Sequence, residues 1–354
     1  MAGLGQFAVS CLLESDGYII FLVEWGERMI RLAARSFCAF VWLVCLSAAV
    51  FATETPKVVV TIKPIHSLVA RIMAGVAKPR LVVEGTASPH TFTLKPSTAR
   101  AINEADVFIR ISDALEPFTR KLVTALPPGV TVVTLAGSNG VTLLDQRQGG
   151  TFEKHEHGHE AAAATDAHSD HADEHEDHDE DGKDGHIWLD PENAKAIVAV
   201  VTKALAHRYP DYAVQFERNA AKLDADLDSL DRELSAELKG SHGKPFIVFH
   251  DATQYFERHF GLEAAGSITV SPDVPPSARR LTEVRAKISS LGAVCVFTEP
   301  SFQPNLVAAV TEGTHARSGT LDVEGQTFSA GPDLYFALLR GVAHNLSSCL
   351  TAPS

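Results

Sequence analysis

Between Asp211 and Leu238, apolar residues recur at Phe216, Ala220, Leu223, Leu227, Leu230 and Leu234, at spacings of 4, 3, 4, 3 and 4. This period places them on one stripe of an α-helix, with the charged residues elsewhere on its surface. At 1.5 Å per residue, 28 helical residues span about 42 Å. A helix so long and so one-sided must lie against apolar surface along most of its length. A coiled-coil dimer would satisfy the stripe, but the flanking positions show no charge code for pairing. The reading favoured is a stiff connector within a monomer.

What flanks the connector decides what it connects. Before it, short apolar runs at Lys57–Ile62, Arg80–Val83, Val107–Ile111 and Val130–Leu135 alternate with helical stretches near His66–Ile72, Ser97–Ala105 and Pro117–Thr124. After it, runs at Pro245–Phe249, Glu263–Ser267 and Ala293–Thr298 alternate with helical stretches near Thr253–Phe260, Ser277–Leu291, Gln303–Glu312 and Tyr335–Leu350. Alternation of this kind builds parallel sheets flanked by helices. Asp190-Pro191 supplies an N-cap followed by proline at the first helical position, opening a further helix that ends at Arg208, before Pro210. The expected fold is therefore α/β, with two lobes bridged by one long helix. The first lobe spans residues 53–190, the linking helices 191–242 with the connector at 211–238, and the second lobe 243–354.

Two segments stand outside this plan. Met29 opens a stretch with Arg31 and Arg35, an apolar run from Phe37 to Phe51, and Val50 and Ala52 placed for cleavage after Ala52. This is the form of a secretory signal and is short for a membrane span. It predicts Sec-type export to a periplasm. A retained membrane anchor is the alternative. Glu14, Asp16, Glu24 and Glu27 fit no signal architecture, which favours Met29 as the true start over Met1. Three of the five cysteines lie in residues 1–52. The two that remain, Cys295 and Cys349, either pair, as thiols of exported proteins usually do, or stay apart as buried thiols.

The second outlying segment is residues 151–184. It holds 13 acidic residues against Lys154 and Lys183, a net of −11, so the formal charge of −13 leaves only −2 for everything else. No basic stripe for nucleic acid and no phosphate-binding glycine loop is present in the chain. His155, His157, His159, His168, His171, His175 and His178 lie among those acids with almost no apolar neighbours, so the tract cannot repay the entropy of ordering. It contains the letters H-E-x-x-H at His155–His159 and H-x-x-E-H at His171–His175, but neither has the apolar helical face such a protease site requires. The tract is read as a disordered insertion that binds zinc weakly.

Nine histidines lie outside the tract. His90 stands in a Ser-Pro-His turn after the second strand, His186 just before the capped helix, and His250 at the end of Phe246-Ile247-Val248-Phe249. Ligands of open α/β sheets bind beyond the carboxyl ends of strands. Asp322, after Thr320-Leu321, occupies a similar place. Three imidazoles and one carboxylate suit tetrahedral zinc better than manganese or calcium.

The segments around His90, His186 and His250, with Thr298-Glu299-Pro300 and Leu321-Asp322, resemble those of the periplasmic zinc-binding proteins of high-affinity zinc ABC transporters. The resemblance extends over nearly all of the chain after the signal, including the connector, the acidic His-rich insertion and the Cys295/Cys349 pair, which is similar to a disulfide of Gram-negative members. It implies two α/β lobes with zinc between them, and His90, His186 and His250 as ligands. It also implies capture of Zn²⁺ for a membrane permease, coupled indirectly to a cytoplasmic ATPase. Manganese-transporting relatives carry a carboxylate where His250 stands. Pro89 replaces a glutamate found before the first ligand in some zinc members, which leaves Asp322 or a water as the fourth ligand. Three other readings compete: manganese transport, a secreted zinc hydrolase with Asp251, Glu299 or Asp322 as base, and a zinc buffer residing in the tract alone. The resemblance and the stiff connector favour a binding protein that is not an enzyme.

Overall fold

The computed structural model describes residues 55–147, 152, 182–269, 276–292, 294–300 and 304–353. The segment read as a signal lies outside the described residues.

Two four-stranded sheets organise the chain. In the first, β1 (Val58–Val60), β2 (Arg80–Leu81), β3 (Val107–Arg110) and β4 (Thr131–Thr134) lie in the order β2-β1-β3-β4. In the second, β5 (Phe246–Val248), β6 (Ala264–Ser267), β7 (Cys295–Thr298) and β8 (Arg317–Thr320) lie in the corresponding order β6-β5-β7-β8. Every pairing is parallel. Because helices cover both faces, the central strands are buried on each side and read as continuous apolar runs. In β5, Phe246 and Val248 face the main core, while Ile247 and the following Phe249 face a smaller one. The alternation follows from the two-residue period of a strand.

In the first lobe, α1 (Lys63–Ile72), α2 (Pro96–Asn103) and α3 (Arg120–Thr124) connect the strands. A proline occupies the first turn of α1 and α2, where the missing N–H costs nothing. The stretch expected as one helix at Pro117–Thr124 divides into a 3₁₀ turn, Pro117–Thr119, and α3. In the second lobe, α6 (Gln254–Phe260), α7 (Ala278–Leu291) and α8 (Pro304–Thr311) do the same, and α9 (Leu334–Thr351) follows the last strand. Strand β8 departs from the pattern of apolar runs: Arg317-Ser318-Gly319-Thr320 carries no apolar side chain, and the sequence marks only the strand end at Thr320-Leu321. It forms because β7 offers a free edge, and Gly319 permits it: a β-carbon there would lie 2.6 Å from the Phe297 ring.

Between the lobes run α4 (Pro191–Arg208), capped by the Asp190 carboxylate, and α5 (Ala213–Leu238), entered through a 3₁₀ turn at Pro210–Tyr212. The buried residues of α5 are Phe216, Ala220, Leu223, Leu227, Leu230, Leu234 and Leu238, the stripe expected from the sequence extended by one leucine. Its polar face ties it to every helix it passes. Asp226 pairs with Arg71 of α1, Asp228 with Lys195 of α4, Asp231 with His259 of α6 and Glu233 with Arg340 of α9. Cys295 of β7 and Cys349 of α9 form a disulfide, with their Cα atoms 6.2 Å apart. One continuous core extends from the first sheet through α4 and α5 to the second.

The structure also shortens the tract expected at 151–184. Gly182–Asp184 is folded: Gln146 N–H donates to Gly182 O, Asp184 N–H donates to Leu144 O, and Lys183 bridges Asp145. Phe152 packs against the core. Charge composition placed these residues with the tract, whereas backbone pairing places them with the first lobe.

Candidate metal centre

Three loops converge where the lobes meet. His250 follows β5 at its carboxyl end, held by the buried run Phe246–Phe249. His186 precedes the buried turn Ile187–Leu189, which leads into the Asp190-capped α4. His90 lies in the loop after β2, where its N–H donates to Ser88 Oγ at 3.4 Å. One ring nitrogen from each of the three lies within 4.8 Å of the other two. The ring centroids are 5.2 to 5.8 Å apart. His186 and His250 are buried, and His90 is half-buried.

Carboxylates fix the ring orientations. His186 Nδ1 donates to Asp184 Oδ1 at 2.7 Å, and His250 Nδ1 donates to Glu299 Oε1 at 2.5 Å. Glu299 follows β7, the neighbour of β5 at the point where the strand order reverses, so the pair sits at the topological switch point of the second sheet. With each Nδ1 acting as donor, both Nε2 lone pairs are directed inward, and these two atoms are 3.3 Å apart. Two lone pairs facing at that distance repel unless a cation serves both. For zinc–nitrogen bonds of the usual length, the edge of a tetrahedron is also about 3.3 Å. In the metal-free protein the cation is a proton. Burial and the neighbouring His250 push His186 down to about 3. For His250 burial also opposes the charged form, but the Glu299 charge and hydrogen bond outweigh it and raise the group to about 9. The His186–Asp184 contact is therefore a hydrogen bond from a neutral imidazole, and His250–Glu299 is an ion pair.

Asp322 does not join the three histidines. Its Oδ1 accepts from Gln326 N–H at 2.7 Å, and its Oδ2 accepts from Thr327 N–H at 2.8 Å and from Thr327 Oγ1 at 2.6 Å. The carboxylate closes the loop after β8 instead. Glu324, on the same loop, is buried beside the site and accepts from Ser88 and Gln326. Burial raises it to about 7. The seven tract histidines, His155, His157, His159, His168, His171, His175 and His178, lie outside the described residues. The orienting role of Asp184 and Glu299 escaped the sequence reading. The strand-end rule that selected His250 also selects Glu299, whereas Asp184 is masked by the acids that precede it.

Cross-lobe hydrogen bonds hold these loops in place. Lys63 Nζ donates to the carbonyls of Gly325, Gln326 and Phe328, each at 3.1 Å. Trp188 Nε1 donates to Val323 O at 2.8 Å, and the Tyr255 hydroxyl donates to Asp184 O at 2.7 Å.

The profile of a family described as zinc-uptake complex component A, periplasmic, matches residues 58–349. The high-affinity zinc uptake system protein ZnuA of Brucella suis is 46% identical over 326 residues, which cover 89% of this chain and 98% of the relative. The protein of that name from Yersinia pestis is 32% identical over 307 residues, covering 86% and 94%. A crystal structure of ZnuA superposes with a TM-score of 0.67 at 23% identity, covering 84% of this chain and all of the other, and so shares its fold. The strand order, the connector and the histidine trio thus occur in a chain that belongs to the periplasmic zinc-uptake component A family of solute-binding proteins.

Proposed function

We propose that His90, His186 and His250 bind Zn²⁺ directly through nitrogen, and that the protein captures the ion in the periplasm and passes it to the permease of a zinc ABC importer. The cytoplasmic ATPase of that importer acts on the protein only indirectly. The observation that carries this reading is the 3.3 Å separation of the His186 and His250 Nε2 atoms, each ring oriented by its own carboxylate. A nitrogen donor set favours zinc over manganese. In this reading water takes the fourth position, with Asp322, whose oxygens accept from Gln326 and Thr327 of its own loop, as the alternative. No catalytic step belongs to this role, and the connector serves a monomer of two lobes, with limits near 53–190 and 243–354. Export rests on the signal-like sequence from Met29. Among the described residues, no helix is long and apolar enough to cross a membrane. Metal analysis of protein isolated from the periplasm without a histidine tag tests the reading. One tightly held zinc per chain is expected, and manganese in its place would overturn it.

A further inference from the structure

Beside the histidine trio lies a second cluster of charges that the capture of zinc does not by itself require. Arg147 extends from the first lobe and meets two carboxylates of the second. Its Nε donates to both oxygens of Asp251 at 3.0 Å, and its Nη2 also donates to Asp251. Its Nη1 donates to Glu257 Oε2 at 2.7 Å, and its Nη2 to Glu257 Oε1 at 3.0 Å. Glu257 is 3% exposed and also accepts from the Thr253 hydroxyl and from Ala264 N–H. The Phe152 ring covers the guanidinium at 4.2 Å.

The position of these carboxylates matters. Asp251 is the residue after His250, and its charge acts on both His186 and His250. Asp184, which orients His186, is close enough to feel the charges of Arg147, Asp251 and Glu257. Two carboxylates thus close on one guanidinium at the edge of the metal centre, and a third, Asp184, feels its charge. Carboxylate oxygens are the donors that manganese and calcium prefer. If the guanidinium were removed, the group would hold uncompensated buried charge, which draws in whatever cation is at hand.

We propose that Arg147 sets the metal selectivity of the site by keeping the Asp251 and Glu257 carboxylates occupied, so that nitrogen donors alone compete for the ion. This rests on the reading of the histidine trio as the zinc site. Arg147 is a positioning residue and does not touch the metal. Its fork geometry is part of the argument, since two carboxylates are engaged at once and a lysine ammonium cannot reproduce that.

The test is a competition titration of Zn²⁺ against Mn²⁺ on the mature protein, Arg147→Gln, Arg147→Lys and the double variant Arg147→Gln/Asp251→Asn. In Arg147→Gln the zinc-over-manganese preference should fall by about tenfold or more, the scale on which outer-shell partners act. In the double variant the preference should recover in part, because Asp251, the carboxylate next to His250, is neutral while Glu257 keeps only its Thr253 and Ala264 donors. Arg147→Lys should lie between, and it supplies the test if Arg147→Gln does not fold. An unchanged preference in Arg147→Gln or Arg147→Lys, or a double variant that restores nothing, would overturn the proposal and leave Arg147 as a salt bridge alone. A parent protein whose zinc binding survives His250→Ala would instead overturn the histidine reading on which the proposal stands.

Discussion

At the scale of single residues, the metal centre depends on which ring nitrogen carries the proton. Glu299 decides this for His250 and Asp184 for His186. Replacing Glu299 by Ala frees the His250 ring and removes the charge that favours it, so zinc affinity should fall about 10- to 100-fold, with the fold intact. Competition against a chelator of known affinity checks this. The same arrangement fixes a pH dependence. In the metal-free protein His250, raised to about 9, is protonated at neutral pH, while His186, lowered to about 3, is not. Zinc must displace that proton. Binding at pH 8 should release at least one proton, and affinity should fall at least about tenfold per unit of acidification below that. Calorimetry in buffers of different ionisation enthalpy reads the count directly, and a heat independent of the buffer would contradict the protonated state of His250. The histidine trio was legible in the sequence because strand ends and a helix cap mark it. Asp322 stands at a strand end too, and its oxygens also accept from backbone N–H groups four and five residues on, a contact that no spacing rule reveals.

At the scale of elements, the readable parts are those whose pattern is set by burial. The α5 stripe and the apolar runs of β1, β3, β5 and β7 repeat with the period of their structure, so the core is written into them. Strand β8 is the exception that explains the rule. It is an edge strand of polar residues, set by what β7 exposes and by the room Gly319 leaves for Phe297, which is tertiary information. Gly319→Val should therefore destabilise the protein by about 1–3 kcal/mol through overpacking, seen as a lower midpoint of denaturation. The disulfide closes the stretch that contains β8, joining residues 54 apart. In the chain-entropy view, closing such a loop contributes about 4 kcal/mol.

At the scale of the whole molecule, two lobes of like topology present their loops to one another, and α5 holds the distance between them. The histidines arrive from separate elements, two from the first lobe and one from the second, so a metal held by all three would cross-link the lobes. Gly182–Asp184, which follow the His-rich tract, are paired to Leu144–Gln146 of the first lobe. Replacing residues 153–181 by a short Gly/Ser linker, while leaving Phe152 and Gly182–Asp184 in place, should retain the tight site and lose any additional weak zinc. A tract whose composition cannot repay the entropy of ordering must give up that entropy to wrap an ion, so its affinity should lie well below that of a preorganised site. An unchanged total stoichiometry would show that the tract binds nothing. The central claim, that His90, His186 and His250 form the zinc site, is tested most directly by calorimetric zinc titration of the mature protein beside its His250→Ala variant. One tight zinc in the parent and a weakening of at least about a hundredfold in the variant are expected, because a missing ligand opens the tetrahedron. A variant that binds zinc as tightly as the parent would contradict the account.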